Sequence, residues 1–77
     1  MDMAQKFRRF LRTHRRPDGS RWAGAEIERA TRGEVSRFYV SRLRRGLIAD
    51  PGFKKVVAIS RVMGIPVQAW LEDRPDP

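Results

Sequence analysis

The sequence has no cysteine and a single histidine, His14, among its 77 residues. Disulfides and thiolate zinc sites are therefore excluded, and one imidazole cannot supply a cluster of metal ligands. The chain also lacks a glycine-rich phosphate loop and an inward-facing pair of carboxylates. We therefore expect no enzyme, no metal site and no cofactor.

Long apolar runs are missing as well. None approaches the roughly 20 residues of a membrane-spanning helix, and the charged, amphipathic amino end does not resemble a signal peptide. A chain this short buries only about 60% of its unfolded surface, which predicts one compact domain of marginal stability. We expect a cytoplasmic protein with one domain over residues 1–72 and a frayed tail or linker over residues 73–77.

Positive charge is abundant and unevenly placed. The formal net charge is +8, with 13 Lys and Arg against 5 Asp and Glu in residues 1–46, and 4 of each kind in residues 47–77. Fourteen of the 17 basic residues are arginine, which pairs bidentately with phosphate and guanine. GC-rich coding also produces arginine-rich chains, but it explains the positional asymmetry less well. The pattern favours a polyanionic partner, most simply DNA.

Residues 36–45 predict a short helix with clear ends. Ser36 suits the N-cap position, and Gly46 suits the left-handed position after the last turn. Val40 and Leu43 share one side of this helix, whereas its arginines spread over the rest. A small helix with one buried and one basic face suits insertion into a nucleic-acid groove.

Two helices are predicted before this one. The first covers residues 3–16, with an apolar face made of Met3, Phe7, Phe10, Leu11 and His14. Its other face holds Lys6, Arg8, Arg9, Arg12 and Arg15, which form either a solvated surface or a set of phosphate contacts beside a groove. The second helix covers residues 24–32, after a turn at residues 16–20. Its N-cap, Ala23, has no side-chain acceptor, and Glu26 occupies the third position of a capping box.

Two further helices are predicted after Gly46. Pro51 suits the first position of a fourth helix that ends near Met63 and buries a broad apolar face. That face comprises Phe53, Val56, Val57, Ile59, Ser60 and Met63. A short fifth helix, residues 67–72, carries Trp70 and Leu71. The expected fold is an all-α, compact five-helix bundle.

Together these segments resemble the Xre/Cro-type, lambda-repressor-like helix-turn-helix family. The resemblance rests on EIERA at 26–30, VSRFYVSRLRRG at 35–46 and DPGFKKVVAISRVMGIPVQAWL at 50–71. In that family a Val-Ser pair opens the recognition helix, Ser-Arg-Leu-x-x-Gly closes it, and proline precedes the fourth helix. Two departures stand out: Ala23 and Gly24 replace the usual Thr or Ser and Gln, and the turn at residues 32–34 is one residue longer.

The resemblance implies a bacterial, nucleoid-associated transcriptional regulator whose recognition helix lies in the major groove. The positions that match the family's base readers are Arg37, Phe38, Ser41 and Arg42. The candidate phosphate contacts are Ser36, Tyr39, Arg44, Arg45, Arg15, Arg16 and Arg21. Phe38 either rests on a thymine methyl group or turns back against the second helix, with Tyr39 then facing outward.

The expected partner is double-stranded DNA, bound by a possible homodimer. The dimer contact would involve the fifth helix, at Trp70 and Leu71, or a C-terminal domain outside this sequence, although a tryptophan at position 70 is more often simply a core residue. Two other functions stay open from the sequence. One is a protein-interaction module with the same fold, such as an antitoxin or the partner of a regulator. The other is a DNA binder without sequence preference.

Overall fold

Four α-helices and one 3₁₀ helix form the secondary structure of residues 2–72, the part of the chain that the computed structural model describes. The α-helices are α1 (Met3–Thr13), α2 (Gly24–Ala30), α3 (Arg37–Arg44) and α4 (Phe53–Met63), and the 3₁₀ helix covers Val67–Leu71. Residues 2–72 contain no strand, which confirms the predicted all-α class. The predicted tail, residues 73–77, lies outside the described residues.

α1 begins with a complete capping box. Asp2 Oδ1 accepts a hydrogen bond from the Gln5 N–H at 2.8 Å, and Gln5 Oε1 accepts one from the Asp2 N–H at 2.9 Å. The sequence predicted that this helix extends to residue 16, but it ends at Thr13. Pro17 explains the difference, because its ring clashes with a helical carbonyl four residues back. His14 already has extended backbone, with φ −115°.

The start of α2 lacks a side-chain cap, as the sequence predicted. Ala23 is the N-cap, and Glu26 Oε1 accepts a hydrogen bond from its N–H at 3.1 Å. Gly24 follows, and a Cβ atom there would lie 3.3 Å from Cβ of Arg37. Glycine at this position therefore lets the first turn of α2 lie directly against the first turn of α3.

The turn between α2 and α3 contains two consecutive residues with left-handed backbone, Arg32 at φ 54° and Gly33 at φ 84°. Such a conformation is uncommon for a side chain as large as arginine. Thr31 stabilises it, because its hydroxyl donates to the Ile27 carbonyl at 2.8 Å and accepts from the Val35 N–H at 3.1 Å. The turn begins here, and α2 therefore ends earlier than the predicted residue 32.

Both ends of α3 agree with the sequence. Ser36 is the N-cap, and its Oγ accepts from the Tyr39 N–H at 3.0 Å. Gly46 has φ 83° and donates to the Leu43 carbonyl, while the next N–H, of Leu47, donates to the Arg42 carbonyl at 2.9 Å. This pair of bonds is a Schellman motif, which satisfies carbonyls that the last helical turn leaves open.

The start of α4 differs from the prediction. Pro51 was expected at the first helical position, but Gly52 follows it with φ 79° and the helix begins at Phe53. Because an α-helix cannot pass through a residue with positive φ, Pro51 lies outside the helix. Asp50 Oδ1 accepts from the Gly52 N–H at 3.2 Å and supports this turn. Phe53 was predicted to be buried, yet 75% of it is exposed.

All four α-helices and the 3₁₀ helix contribute side chains to one core. Its buried members are Phe7, Phe10, Ile27, Val35, Val40, Leu43, Ile59, Met63, Ile65 and Trp70. The radius of gyration, 11.4 Å, matches the value of about 11.5 Å for a compact domain of this length. The protein is thus a compact, all-helical globule.

Trp70 belongs to this core. Only 2% of its surface is exposed, its ring centroid lies 5.0 Å from that of Phe10, and its Nε1 donates to Ser60 Oγ at 2.7 Å. Of the two residues named for a dimer contact, Trp70 is therefore buried in the core, whereas Leu71 is 81% exposed. The segment around them is a 3₁₀ helix in place of the predicted fifth α-helix.

Lys6 also lies in a position that differs from the prediction. It was placed on the outer face of the first helix, but it is buried, with 6% exposure. Its Nζ donates to the Trp70 carbonyl at 2.8 Å, which pins the 3₁₀ helix to α1. The aliphatic stem of lysine packs against apolar neighbours while its ammonium group reaches this carbonyl.

Candidate nucleic-acid interface

The outer surface of α3 displays most of the predicted base-reading side chains. Because Val40 and Leu43 are buried, the helix must turn its other sides outward. Arg37 and Arg42 are exposed, Ser41 is half-buried, and Phe38 is 67% exposed. Of the two orientations left open for Phe38, the structure has the outward one.

Arg37 is held by a contact that the sequence analysis missed. Its Nε donates to Glu28 Oε1 at 2.7 Å, so the first residue of α3 is paired with the middle of α2. The guanidinium still has the N–H groups of its two terminal nitrogens, which is the edge that pairs bidentately with guanine. Glu28 therefore orients this arginine without occupying that edge.

The same pair perturbs the carboxyl group. The hydrogen bond from Arg37 lowers the pKa of Glu28 below its ordinary value of 4.5, so the carboxylate is ionised at neutral pH. A group with a lowered pKa in the folded state stabilises the fold above its ordinary pKa. That contribution is lost only as the pH falls below 4.5 and through the lowered value.

Tyr39 departs from the sequence expectation. Its hydroxyl was expected to be free for a phosphate, but it donates to the Pro51 carbonyl at 2.7 Å. The ring is half-buried, with Lys55 Nζ 5.4 Å from its centroid. Burial, reinforced by the charge of Asp50, raises the pKa of Tyr39 above its ordinary value of 10.0. Tyr39 therefore ties α3 to the segment before α4, and its only O–H is already used.

Ser36 keeps one donor available at the start of α3. Its oxygen accepts the Tyr39 N–H, and a hydroxyl that accepts can still donate its own hydrogen. Arg45, the C-cap of α3, is exposed at the other end of the helix. Both residues lie where the sequence analysis placed candidate phosphate contacts.

A groove rich in arginine runs beside α3. It consists of two adjoining hollows of about 260 and 270 Å³, which share Leu11, Trp22 and Arg44. We call it the basic groove, after its five arginines: Arg8, Arg12, Arg21, Arg37 and Arg44. No acidic side chain lines either hollow within the described residues. The surface is therefore strongly positive and continuous from α1 to α3.

α1 and α3 meet directly in the basic groove. Arg8 Nη1 donates to the Arg44 carbonyl at 2.6 Å, which fixes the arginine-bearing side of α1 next to the end of α3. Sequence periodicity put Arg8 and Arg12 on the polar face of the first helix but did not select them over their neighbours. Only the packing of α1 on α3 distinguishes these two residues.

The other predicted arginines have different surroundings. Arg21 lines the basic groove, as a phosphate contact would. Arg15 donates through Nε to the Arg12 carbonyl at 3.3 Å, and Arg16 donates to Ser20 Oγ at 3.4 Å. These two lie in the connection between α1 and α2, outside the lining of the groove, and their side chains help to order that connection.

None of the helices in the described part of the chain has the length and apolar character needed to cross a membrane. Within the same residues, no three His, Cys, Asp or Glu side chains come together as metal ligands would.

Comparisons with known proteins add no relative. The chain matches no family model, no curated protein sequence and no solved structure.

Proposed function

We propose that this protein is a helix-turn-helix DNA-binding domain of the Xre/Cro type, acting in a transcriptional regulator. In this proposal α2 and α3 are the two helices of the motif, and α3 is the recognition helix. One observation carries it: α3 buries Val40 and Leu43 while Arg37, Phe38 and Arg42 face outward beside the basic groove.

The dimensions of α3 support this assignment. An α-helix with its side chains is about 10–12 Å in diameter, and the major groove of B-DNA, about 12 Å wide, admits it. With α3 in that groove, its outer side chains meet base edges and the basic groove lies against the phosphate backbone. The family resemblance of residues 22–72 points to the same arrangement.

Each outward side chain has a defined role in the proposal. Arg37 reads guanine through its two terminal nitrogens, a contact worth about 1–3 kcal/mol of discrimination. Arg42 is the second candidate for guanine, and Phe38 packs on a thymine methyl group. Ser36, Arg44 and Arg45, together with Arg21, bind phosphates and set the position of the domain without choosing a sequence.

Selection from a pool of random duplexes tests the proposal. We expect enrichment of one motif, and an inverted repeat if two copies bind together. The affinity for the selected site should exceed that for random DNA by about a thousandfold or more at physiological salt. Recovery of unrelated sequences, all bound equally, would contradict the proposal.

The net charge of +8 favours one second candidate, a DNA binder without sequence preference. Salt separates the two, because a complex held only by phosphates weakens steeply with salt on every sequence. A regulator keeps a large ratio of affinity for its own site to affinity for random DNA over the same range of salt concentration.

A further inference from the structure

α4 carries apolar side chains outside its buried sector: Ala58 and Val62 are partly covered by the core, whereas Phe53 is 75% exposed. At about 100° per residue, Ile59, Ser60 and Met63 lie within one sector, and these are its buried residues. Phe53 and Val57 lie to one side of that sector, and Val62 lies to the other. On the side of α4 away from that sector, Arg61, Lys54 and Ala58 lie between Val57 and Val62, so this second side mixes apolar and cationic side chains.

This second side borders a groove. Two adjoining hollows of about 220 and 240 Å³ run between α4 and the α2–α3 turn, and they share Glu34, Ala58 and Arg61. We call this pair the α4 groove. Its apolar lining consists of Ala30, Phe53, Val57, Ala58 and Val62. Phe53, 75% exposed, is the largest apolar side chain in it.

The charges around the α4 groove are mostly positive. Arg32, Lys54 and Arg61 line it, against a single acidic residue, Glu34. Glu34 is already engaged by Lys55, whose Nζ lies 3.6 Å from Glu34 Oε2 and also donates to the Glu34 carbonyl. An occupant of this groove therefore meets an apolar floor with three cationic side chains around it.

We infer that the α4 groove binds an acidic amphipathic helix of a partner protein. The part of α4 from Phe53 to Val62 extends over about 14 Å, which suits two to three turns of a helix. Apolar side chains at i, i+3 or i+4, and i+7 of the partner fill the floor, and flanking carboxylates face the three cations. A second copy of this chain fits worse, because a symmetric contact brings the same cations together.

The α4 groove is distinct from the basic groove, since the two share no lining residue. Binding of a partner helix here does not require DNA binding. In a regulator, the α4 groove would provide a contact to another protein.

A designed peptide serves as the probe. It is a fluorescein-labelled amphipathic helix of about 14 residues, with leucine in one stripe and glutamate elsewhere. A matched peptide carries lysine in place of glutamate. Anisotropy measures binding to the full chain, and backbone amide shifts in NMR spectra locate the peptide. We expect the acidic peptide to shift amides of residues 30–34 and 53–62, and the lysine peptide to bind not at all.

Charge-reversal variants sharpen the experiment. The double variant Lys54→Glu, Arg61→Glu should lower the affinity for the acidic peptide by about tenfold, since each reversal replaces a weak attraction with a weak repulsion. The control double variant Arg29→Glu, Arg45→Glu makes the same change in net charge at exposed positions outside the groove. This control should lower the affinity for the acidic peptide by about twofold or less, through long-range charge alone. Phe53→Ser should weaken it without any change in charge.

Several results would overturn the inference. Equal losses in the two double variants, or amide shifts confined to the basic groove, would mean that the peptide responds only to positive charge. Self-association of the chain in sedimentation, abolished by Phe53→Ser, would identify the occupant as a second copy. Selection of DNA by the Lys54→Glu, Arg61→Glu variant is measured alongside, so that failure of the proposed DNA binding is recognised separately.

Discussion

At the scale of single residues, the ion pair between Glu28 and Arg37 links the α2 helix to the proposed base reading. The carboxylate fixes Nε of the guanidinium and restricts the directions in which its terminal nitrogens point. A preorganised arginine loses less side-chain entropy when it binds than a freely rotating one. In the proposed complex Glu28 is thus a positioning residue, since it would act on DNA through Arg37.

Replacing Glu28 with alanine removes both the acceptor for Arg37 Nε and the carboxylate charge. Glu28→Ala should raise affinity for random DNA, because it removes a negative charge near the phosphates, while lowering the ratio of selected-site to random-DNA affinity by about threefold to tenfold. Competition binding on selected and random duplexes measures both effects. The control Asp18→Asn removes an exposed carboxylate elsewhere and should raise both affinities alike. An unchanged affinity ratio in Glu28→Ala would exclude the positioning role.

Tyr39 gives a second prediction at this scale. Tyr39→Phe removes the hydrogen bond to the Pro51 carbonyl and should lower the free energy of unfolding by about 0.5–1.5 kcal/mol, as measured by urea denaturation. Affinity for DNA should stay the same, since the hydroxyl donates within the protein. A loss of affinity at unchanged stability would instead assign this hydroxyl to a phosphate.

At the scale of helices, the end of α3 depends on one backbone conformation. Gly46 has φ 83°, and a Cβ there would meet only Cβ of Ala4, at the ordinary contact distance of 3.7 Å. Gly46→Ala should therefore cost about 1–2 kcal/mol of unfolding free energy from backbone strain alone. Gly46→Asn, the matched variant, should cost less because asparagine tolerates this conformation better. Equal costs in urea denaturation would point to crowding as the cause.

Helix ends also indicate which parts of the fold the sequence can predict. Ser36 and Gly46 act through bonds to residues three or four positions away, and both were identified correctly. Pro51 was misplaced because Gly52, with its positive φ, was not recognised as the residue that interrupts the helix. Local signals therefore predict the existence of helices well and their ends only where the capping residue is recognised.

Contacts between helices were not predictable in the same way. Lys6 binds a carbonyl 64 residues along the chain, and Arg37 binds Glu28 nine residues back. Such contacts depend on how the helices pack, which periodicity alone does not define. The sequence therefore predicted the part of the candidate site that lies on the outward face of α3. The groove beside it needed the three-dimensional structure.

At the scale of the whole molecule, positive charge divides between two surfaces that share no lining residue. The basic groove has five arginines and no acidic lining residue, whereas the α4 groove has three cations and one acidic residue, Glu34. Only the first is expected to face phosphates. Salt dependence therefore provides a way to assign individual arginines to one surface or the other.

Arg44→Ala tests this division. It should reduce the slope of log affinity against log salt by about 1, on selected and random DNA alike, because one phosphate contact is lost. Arg61→Ala removes the same charge from the α4 groove and should leave the slope unchanged. Equal changes in the two variants would show that net charge, and not the basic groove, determines binding.

The two tryptophans lie in contrasting surroundings, and this gives the protein built-in optical probes. Trp70 is sealed in the core, whereas Trp22 is half-buried in the basic groove, with the Arg16 guanidinium 5.9 Å from its ring. Indole emission shifts to the red in polar surroundings, and an exposed ring is quenched by dissolved iodide. Unfolding should therefore shift the emission of Trp70, while DNA in the basic groove should shield Trp22 from the quencher. One unlabelled sample can then report folding and binding independently.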